Sequence, residues 1–402
     1  MNRRQFVVNG SLFLTSFPAL AKQFKTFNAN PIKVGVIGTG VRGTYLLHLI
    51  VEHIHTMRVV ACCDINSENL ERGLKLAGPQ TKSYQDYKDL LKDKEVEAVI
   101  IATPLYLHFA MALEAMAQKK HVYCEKTMCF TIEESKELVK TARSSPLIFQ
   151  VGYQQRYSPL FKKVRQLIQN GACGKITYVD CYWNRNGDWR RGVKNAEQER
   201  LINWRMYKAY SGGLMAELCS HQIDVVHMLL GQHPKSVIGM GGIDYWKDGR
   251  ETFDNVTALF EYPEGLKARF TALTTNAREG FKMKFFGTKA TIEINRENGQ
   301  KGWIFPEPPP SNPAWEIDAL SGVTQTGWNE GEGIRIISED EPNDELSTTI
   351  ALKEFSTSIK TNKKPYADVQ IGHWGSVAVQ MANEAMEKGL TVQWKPHFNA
   401  EF

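Results

Sequence analysis

Between residues 33 and 153, short apolar runs alternate with amphipathic stretches. Residues 33–37, 58–64, 98–102, 121–124 and 147–153 read as buried strands, whereas 44–51, 110–118 and 132–141 carry apolar side chains at helical spacing. Thr131 and Glu134 open the last helix at the spacing of a capping box. Strands alternating with helices predict an α/β domain with a doubly wound parallel sheet over residues 32–152.

The pattern changes near residue 153. After a helix at 159–169, period-two alternation marks strands at 176–183, 236–243, 255–262, 266–275, 281–287 and 290–294, interrupted by one helix at 216–230. Pro263, Glu264 and Gly265 form a hairpin-like turn between two of them. Residues 306–313 are a proline-rich loop, and 376–388 form a closing amphipathic helix. The expectation for 153–402 is an α+β domain with a mainly antiparallel, open sheet. There is no internal repeat and no apolar run long enough to span a bilayer.

The first residues follow another logic. Arg3 and Arg4 precede an apolar stretch at 6–17, and Ala19, Leu20 and Ala21 supply a small-x-small cleavage pattern. Residues 1–21 are therefore expected to be a signal peptide, and the arginine pair resembles a twin-arginine signal, which delivers folded protein to the periplasm. A cytoplasmic protein with a polar tail is the alternative. The formal net charge is +5; without the leader's two arginines it is +3, which gives no reason to expect nucleic acid or a membrane surface as partner. Seven cysteines, odd in number and without C-x-x-C spacing, predict buried thiols rather than a disulfide framework.

Gly38, Gly40 and Gly43 form a G-x-G-x-x-G motif between the first strand and the first helix, with Val41 and Arg42 inside it. Gly38 permits the tight turn, Gly40 the close approach of a diphosphate, and Gly43 the packing of helix on strand. The diphosphate would rest on the helix N-terminus. Asp64 ends the second strand, where a carboxylate accepts hydrogen bonds from ribose hydroxyls and repels a 2′-phosphate. No basic residue follows at once, so the motif predicts a Rossmann domain with NAD as cofactor.

Three more segments complete a pattern: Thr103, Pro104 and His108; Glu125, Lys126 and Thr127; and Gly212, Gly213, Glu217, His221 and Asp224. With the glycine motif they resemble the Gfo/Idh/MocA oxidoreductases. The resemblance implies cofactor contacts at Thr103, Pro104, His108, Glu125, Lys126 and Gln154. It places Arg156 and Tyr157 at the border with substrate, although Arg156 reads equally as a domain-interface ion pair. Oxidising a carbinol needs a base for the hydroxyl proton and a donor for the developing alkoxide. His221 is the expected base, with Glu217 four residues earlier either orienting it or binding a neighbouring hydroxyl, and Lys126 is the expected donor. Metal binding by Glu217, His221 and Asp224 is a lesser alternative, and no metal is expected. Trp183, Arg185, Trp189, Trp204 and Arg205 combine aromatic faces with planar donors in the manner carbohydrate requires. The chain departs from the family pattern at Thr127, where Pro is usual, at Glu217, where Asp is usual, and at Cys219, where Gly is usual.

These readings converge on NAD-dependent oxidation of a secondary hydroxyl of a small sugar or glycoside, with C3 a candidate position and the cofactor tightly held. An NAD-dependent glycosidase or lyase working by transient oxidation and elimination is the alternative, and a non-catalytic NAD- or sugar-binding protein the third reading. The resemblance also implies a homo-oligomer formed through the C-terminal sheet.

Overall fold

The computed structural model describes residues 30–296, 300–307, 333–338 and 342–400. The expected leader over 1–21 and most of the proline-rich stretch at 306–313 lie outside the described residues. From Pro31 onward the chain forms one unit, built on two sheets.

The first half folds as β1 (Ile32–Ile37), α1 (Val41–His53), β2 (Met57–Cys63), α2 (Ser67–Ala77), β3 (Lys82–Tyr84), α3 (Tyr87–Lys92), β4 (Ala98–Ile101), α4 (His108–Ala117), β5 (His121–Cys124), α5 (Ile132–Arg143) and β6 (Phe149–Val151). The six strands are parallel in the order β3-β2-β1-β4-β5-β6. The order reverses between β1 and β4, which opens a crevice at the strands' carboxyl ends. Gly38 ends β1 with φ +87, and a Cβ there would lie 2.7 Å from Ala102 O. A Cβ on Gly43 would lie 1.8 Å from Gly38 O, so only glycine lets α1 pack on the loop this closely. The expected capping box is present: Thr131 Oγ1 accepts from Glu134 N (3.1 Å) and Glu134 Oε2 from Thr131 N (3.0 Å).

The second half adds α6 (Pro159–Gln169), β7 (Ile176–Trp183), α7 (Ala196–Ile202), α8 (Ser220–Leu230), β8 (Ser236–Gly242), β9 (Asn255–Glu261), β10 (Lys267–Leu273), β11 (Phe281–Gly287), β12 (Ala290–Asn295), β13 (Lys301–Pro306), β14 (Ile334–Ile336), α9 (Asp344–Thr361), α10 (Val369–Lys388) and β15 (Val392–Gln393). Its nine strands run β14-β13-β12-β11-β7-β10-β9-β8-β15, antiparallel except for the β7–β10 pair. Alternate residues such as Ala258, Phe260, Phe270, Met283, Phe285, Ile292 and Ile294 face a core shared with α8 and α10. All seven cysteines are free and buried, as expected.

Some elements differ from expectation. β13, β14 and α9 were not predicted, and α10 starts at Val369 rather than near 376. Gly372 and Gly375 weaken the helical signal of its first turns, yet both are required: a Cβ would lie 2.5 Å from Met128 Sδ and 2.2 Å from Tyr153 Oη respectively. In α9 the buried side chains include Ser347, Thr348, Ser356 and Ser358. Hydroxyls such as those of Ser347 and Thr348 donate to carbonyls one turn back, which satisfies them without an apolar stripe. Leu352 and Phe355 of α9 share a core with Leu46 and Ile50 of α1, so this late helix covers the first sheet.

Candidate active site

A cleft of about 920 Å³ lies at the carboxyl ends of the parallel strands and is walled on its far side by the second sheet. On the first wall, Gly38, Gly40, Val41 and Arg42 border it. Gly40 is the residue preceding α1, which has no side-chain cap and no acidic residue in its first turn. Its leading amides are thus available to an anion. A Cβ on Gly40 would meet no atom nearer than 3.9 Å, so the space above the loop is open. Asp64 stands beside it, fixed by amides: Oδ2 accepts from Thr39 N and Oδ1 from Asn66 N, each at 2.8 Å.

Deeper in, Arg42 Nε donates to Glu125 Oε1 at 2.8 Å, while Arg42 Nη2 and Gln154 Oε1 are buried without a partner. Orphaned polar atoms in a cleft of this size, beside a bare helix N-terminus and an anchored carboxylate, fit a dinucleotide. Thr103 and Pro104 line the same wall. So does His108, but its ring nitrogens lie 2.8 Å from Thr127 O and 2.9 Å from Thr103 O. Burial lowers its pKa, and the neutral ring donates to one of these two carbonyls while it borders the cleft.

On the same side, Glu125 and Lys126 follow β5, and the Lys126–Thr127 peptide is cis. Lys126 Nζ donates to Ala216 O (3.3 Å) and Glu217 O (3.1 Å), not to Glu125. Both carbonyls belong to a π-helical turn, Met215–Cys219, that leads into α8. A π turn disturbs the regular ladder and frees carbonyls for other donors; Ala216 O also accepts from Ser220 Oγ at 2.6 Å. Burial pushes the Lys126 ammonium below its usual range, with Glu217 and Glu125 opposing. For Glu217, burial works to raise the carboxyl, but Arg205 and Lys126 hold it below the ordinary value.

Glu217 does not orient His221. Its Oε2 accepts from Arg205 Nε at 2.6 Å, and His221 Nδ1 is buried with no partner. The imidazole packs edge-on to Tyr153 (6.4 Å) and against Trp183 (5.5 Å). Burial, then the charges of Lys126, Arg296 and Arg42, push His221 well below the usual imidazole range. The ring is neutral at neutral pH.

Trp183, Arg185, Trp189, Trp204 and Arg205 all border the cleft, with Arg205 stacked 4.2 Å over Trp204. Arg156 and Tyr157 do not. Arg156 Nε donates to both oxygens of Asp224 (2.7 and 2.9 Å), and the pair is buried. Burial pushes Asp224 up to about 6 against the pull of Arg156. Tyr157 donates to Glu354 and accepts from Ala367 N at 3.1 Å. Both residues lock the junction between the sheets instead of meeting substrate. The lining also includes charged residues that the sequence reading does not single out, among them Arg190, Arg191, Arg200 and, just beyond β12, Arg296.

The family model for the oxidoreductase family with an NAD-binding Rossmann fold (GFO_IDH_MocA) matches residues 32–153, and the GFO/IDH/MocA C-terminal domain matches 161–293. Over 269 residues the chain is 32% identical to 2,7-anhydro-N-acetylneuraminate hydratase of Escherichia coli K12, covering 66% of this chain and 68% of that protein. It is 27% identical over 208 residues to inositol 2-dehydrogenase of Salmonella paratyphi B, covering 51% of this chain and just over half, 56%, of that one. The solved structure of levoglucosan dehydrogenase with NADH and levoglucosan has the same fold, with a TM-score of 0.71 at 20% identity, covering 90% of this chain and 99% of the other.

Proposed function

The chain belongs to the Gfo/Idh/MocA family of NAD-binding oxidoreductases, and from that premise we propose that it oxidises a secondary hydroxyl of a sugar or glycoside. Lys126 hydrogen-bonds the reacting oxygen and stabilises the negative charge that grows on it. His221, neutral and unpartnered, accepts the hydroxyl proton. Trp183 and Trp204 present apolar faces to the sugar ring, and Arg205, braced by Glu217, binds a neighbouring hydroxyl. NAD supplies the hydride acceptor, and Gly40, the α1 N-terminus, Asp64, Arg42 and Gln154 are the groups that would hold it. The single observation that carries the reading is the convergence of Lys126 Nζ and an unpartnered imidazole in the cleft that also holds the glycine loop. The test is a single turnover of NAD-loaded protein over a panel of sugars and glycosides, followed by NADH absorbance. His221→Asn should slow it by roughly 10²-fold or more; a wild-type rate in that variant refutes the assignment.

A second reading is favoured by one observation, the 32% identical relative named a hydratase. Oxidation at one carbon acidifies the neighbouring C–H, so a substituent beyond it can be eliminated and water added before the carbonyl is reduced again. Product analysis separates the two outcomes, since only the second returns bound NAD unchanged.

We also propose export of the folded, NAD-loaded protein to the periplasm, supported by the order of Arg3, Arg4, the apolar stretch and Ala19–Ala21. Self-association through the second sheet is supported by its outer face, where Ile238 and Met240 are 49% and 81% exposed.

A further inference from the structure

Alternate residues of β12, Ala290, Ile292 and Ile294, face the core. Arg296 continues that parity one step beyond the strand, so a guanidinium turns inward where an aliphatic side chain would be expected. It stacks 4.2 Å over Phe281 and 5.1 Å over Trp183, residues paired across β11 and β7. Its Nε and Nη2 make no hydrogen bond. Nη2 lies 3.0 Å from Asp344 Oδ1 but off the hydrogen-bonding line, and that carboxylate is half exposed and already accepts from Gln300 Nε2. Arg185 lies against the same Trp183 ring (5.8 Å), and no ion pair joins it to a carboxylate among the described residues. Of the other cleft arginines, Arg42 is matched by Glu125, Arg205 by Glu217, Arg190 by Asp248 and Arg200, at 4.0 Å, by Glu251, whereas the exposed Arg191 has no ion pair among the described residues. Two of the three cleft arginines without a full carboxylate partner, Arg296 and Arg185, thus stand at Trp183. Arg296 also depresses the pKa of His221, which places this charge beside the reacting centre.

A buried guanidinium is costly to leave without hydrogen bonds, and a neutral sugar's hydroxyls accept from it but carry no charge to match its own. A carboxylate does: two coplanar oxygens meet the guanidinium fork in a bidentate pair. We infer that the substrate is a sugar acid, its carboxylate seated on Arg296 with Arg185 closing from the rim, so that the carbinol beside it reaches Lys126 and His221. The inference rests on the oxidoreductase reading of the same cleft and narrows its substrate to anionic sugars.

The test uses NAD-loaded protein with glucuronate, galacturonate and mannuronate against their parent hexoses, and glucose 6-phosphate as a second kind of anion. Tryptophan fluorescence reads binding and NADH absorbance reads turnover. At least one uronate should bind roughly tenfold or more tighter than its hexose. Arg296→Gln should erase that margin, lowering uronate affinity far more than hexose affinity, and Arg296→Lys should restore part of it. Arg185→Gln should shrink the margin without touching the buried position. Equal binding of uronates and hexoses by the wild type, or an equal loss for both in Arg296→Gln, overturns the inference. So does glucose 6-phosphate outcompeting every uronate. A margin without any NADH sinks the oxidation reading and leaves the sugar acid standing, whereas NADH from hexoses without a margin does the reverse.

Discussion

Replacing Lys126 with methionine isolates the proposed alkoxide donor. An ammonium has three N–H bonds; two are directed at Ala216 O and Glu217 O (3.3 and 3.1 Å), leaving one for the reacting oxygen. Losing one preorganised donor at a developing oxyanion costs about 2.7–4 kcal/mol, or roughly 10²–10³ in rate. Methionine keeps the unbranched stem, so the cleft keeps its shape. Ala216 O retains the Ser220 hydroxyl at 2.6 Å. Glu217 O loses its side-chain donor, and an unsatisfied buried carbonyl costs about 1–3 kcal/mol of stability. The variant should therefore melt somewhat lower yet still fold. The NAD affinity should stay within about threefold, because the glycine loop, Asp64 and the Arg42–Glu125 pair are untouched. Stopped-flow absorbance of NAD-loaded Lys126→Met with an active sugar reads the chemical step directly. A rate within about threefold of wild type would refute the role of Lys126, and a parallel collapse of NAD binding would make it structural.

NAD should bind at least about tenfold tighter than NADP, roughly 1.4 kcal/mol, because Asp64 is anchored beside the loop by Thr39 N and Asn66 N; Asp64→Ser should shrink that ratio in titration calorimetry, and equal affinities in the wild type would remove Asp64 from cofactor choice. Mature protein from the source cell should begin near Lys22, as read by N-terminal sequencing; an intact Met1 on abundant cytoplasmic protein would sink the export proposal. Acid should destabilise the fold through buried neutral histidines: burial lowers His373 to about 4, against about 6.5 unfolded, so its contribution is present above about pH 6.5 and lost as pH falls toward 4. That loss amounts to about 3 kcal/mol, and urea melts at several pH values should show it reduced in His373→Gln; an identical slope in the two proteins would refute it.

The two halves of the cleft were not equally legible. The cofactor wall follows from local backbone demands: Gly38 needs a left-handed φ and Gly43 the absence of a Cβ, and such needs are written as residue types at fixed spacing. The substrate wall depends on pairings between residues far apart in the chain, which spacing does not record. The four-residue interval between Glu217 and His221 suggests a partnership, but Arg205 reaches the Glu217 carboxylate first, and the π turn gives the carbonyls of Ala216 and Glu217 to Lys126. Arg156 looked like a substrate ligand or an interface ion pair, and only Asp224, 68 residues later, decides for the second. Arg296 had a readable signal, a charged residue on the buried parity of β12. The apolar alternation itself ends at Ile294, two residues before this arginine. A charge that keeps the inward phase of a strand must find a partner in the core or a ligand in a cavity. Here the cavity is the cleft itself, so the place where the hydrophobic pattern breaks is also where the chemistry of the substrate is most narrowly constrained.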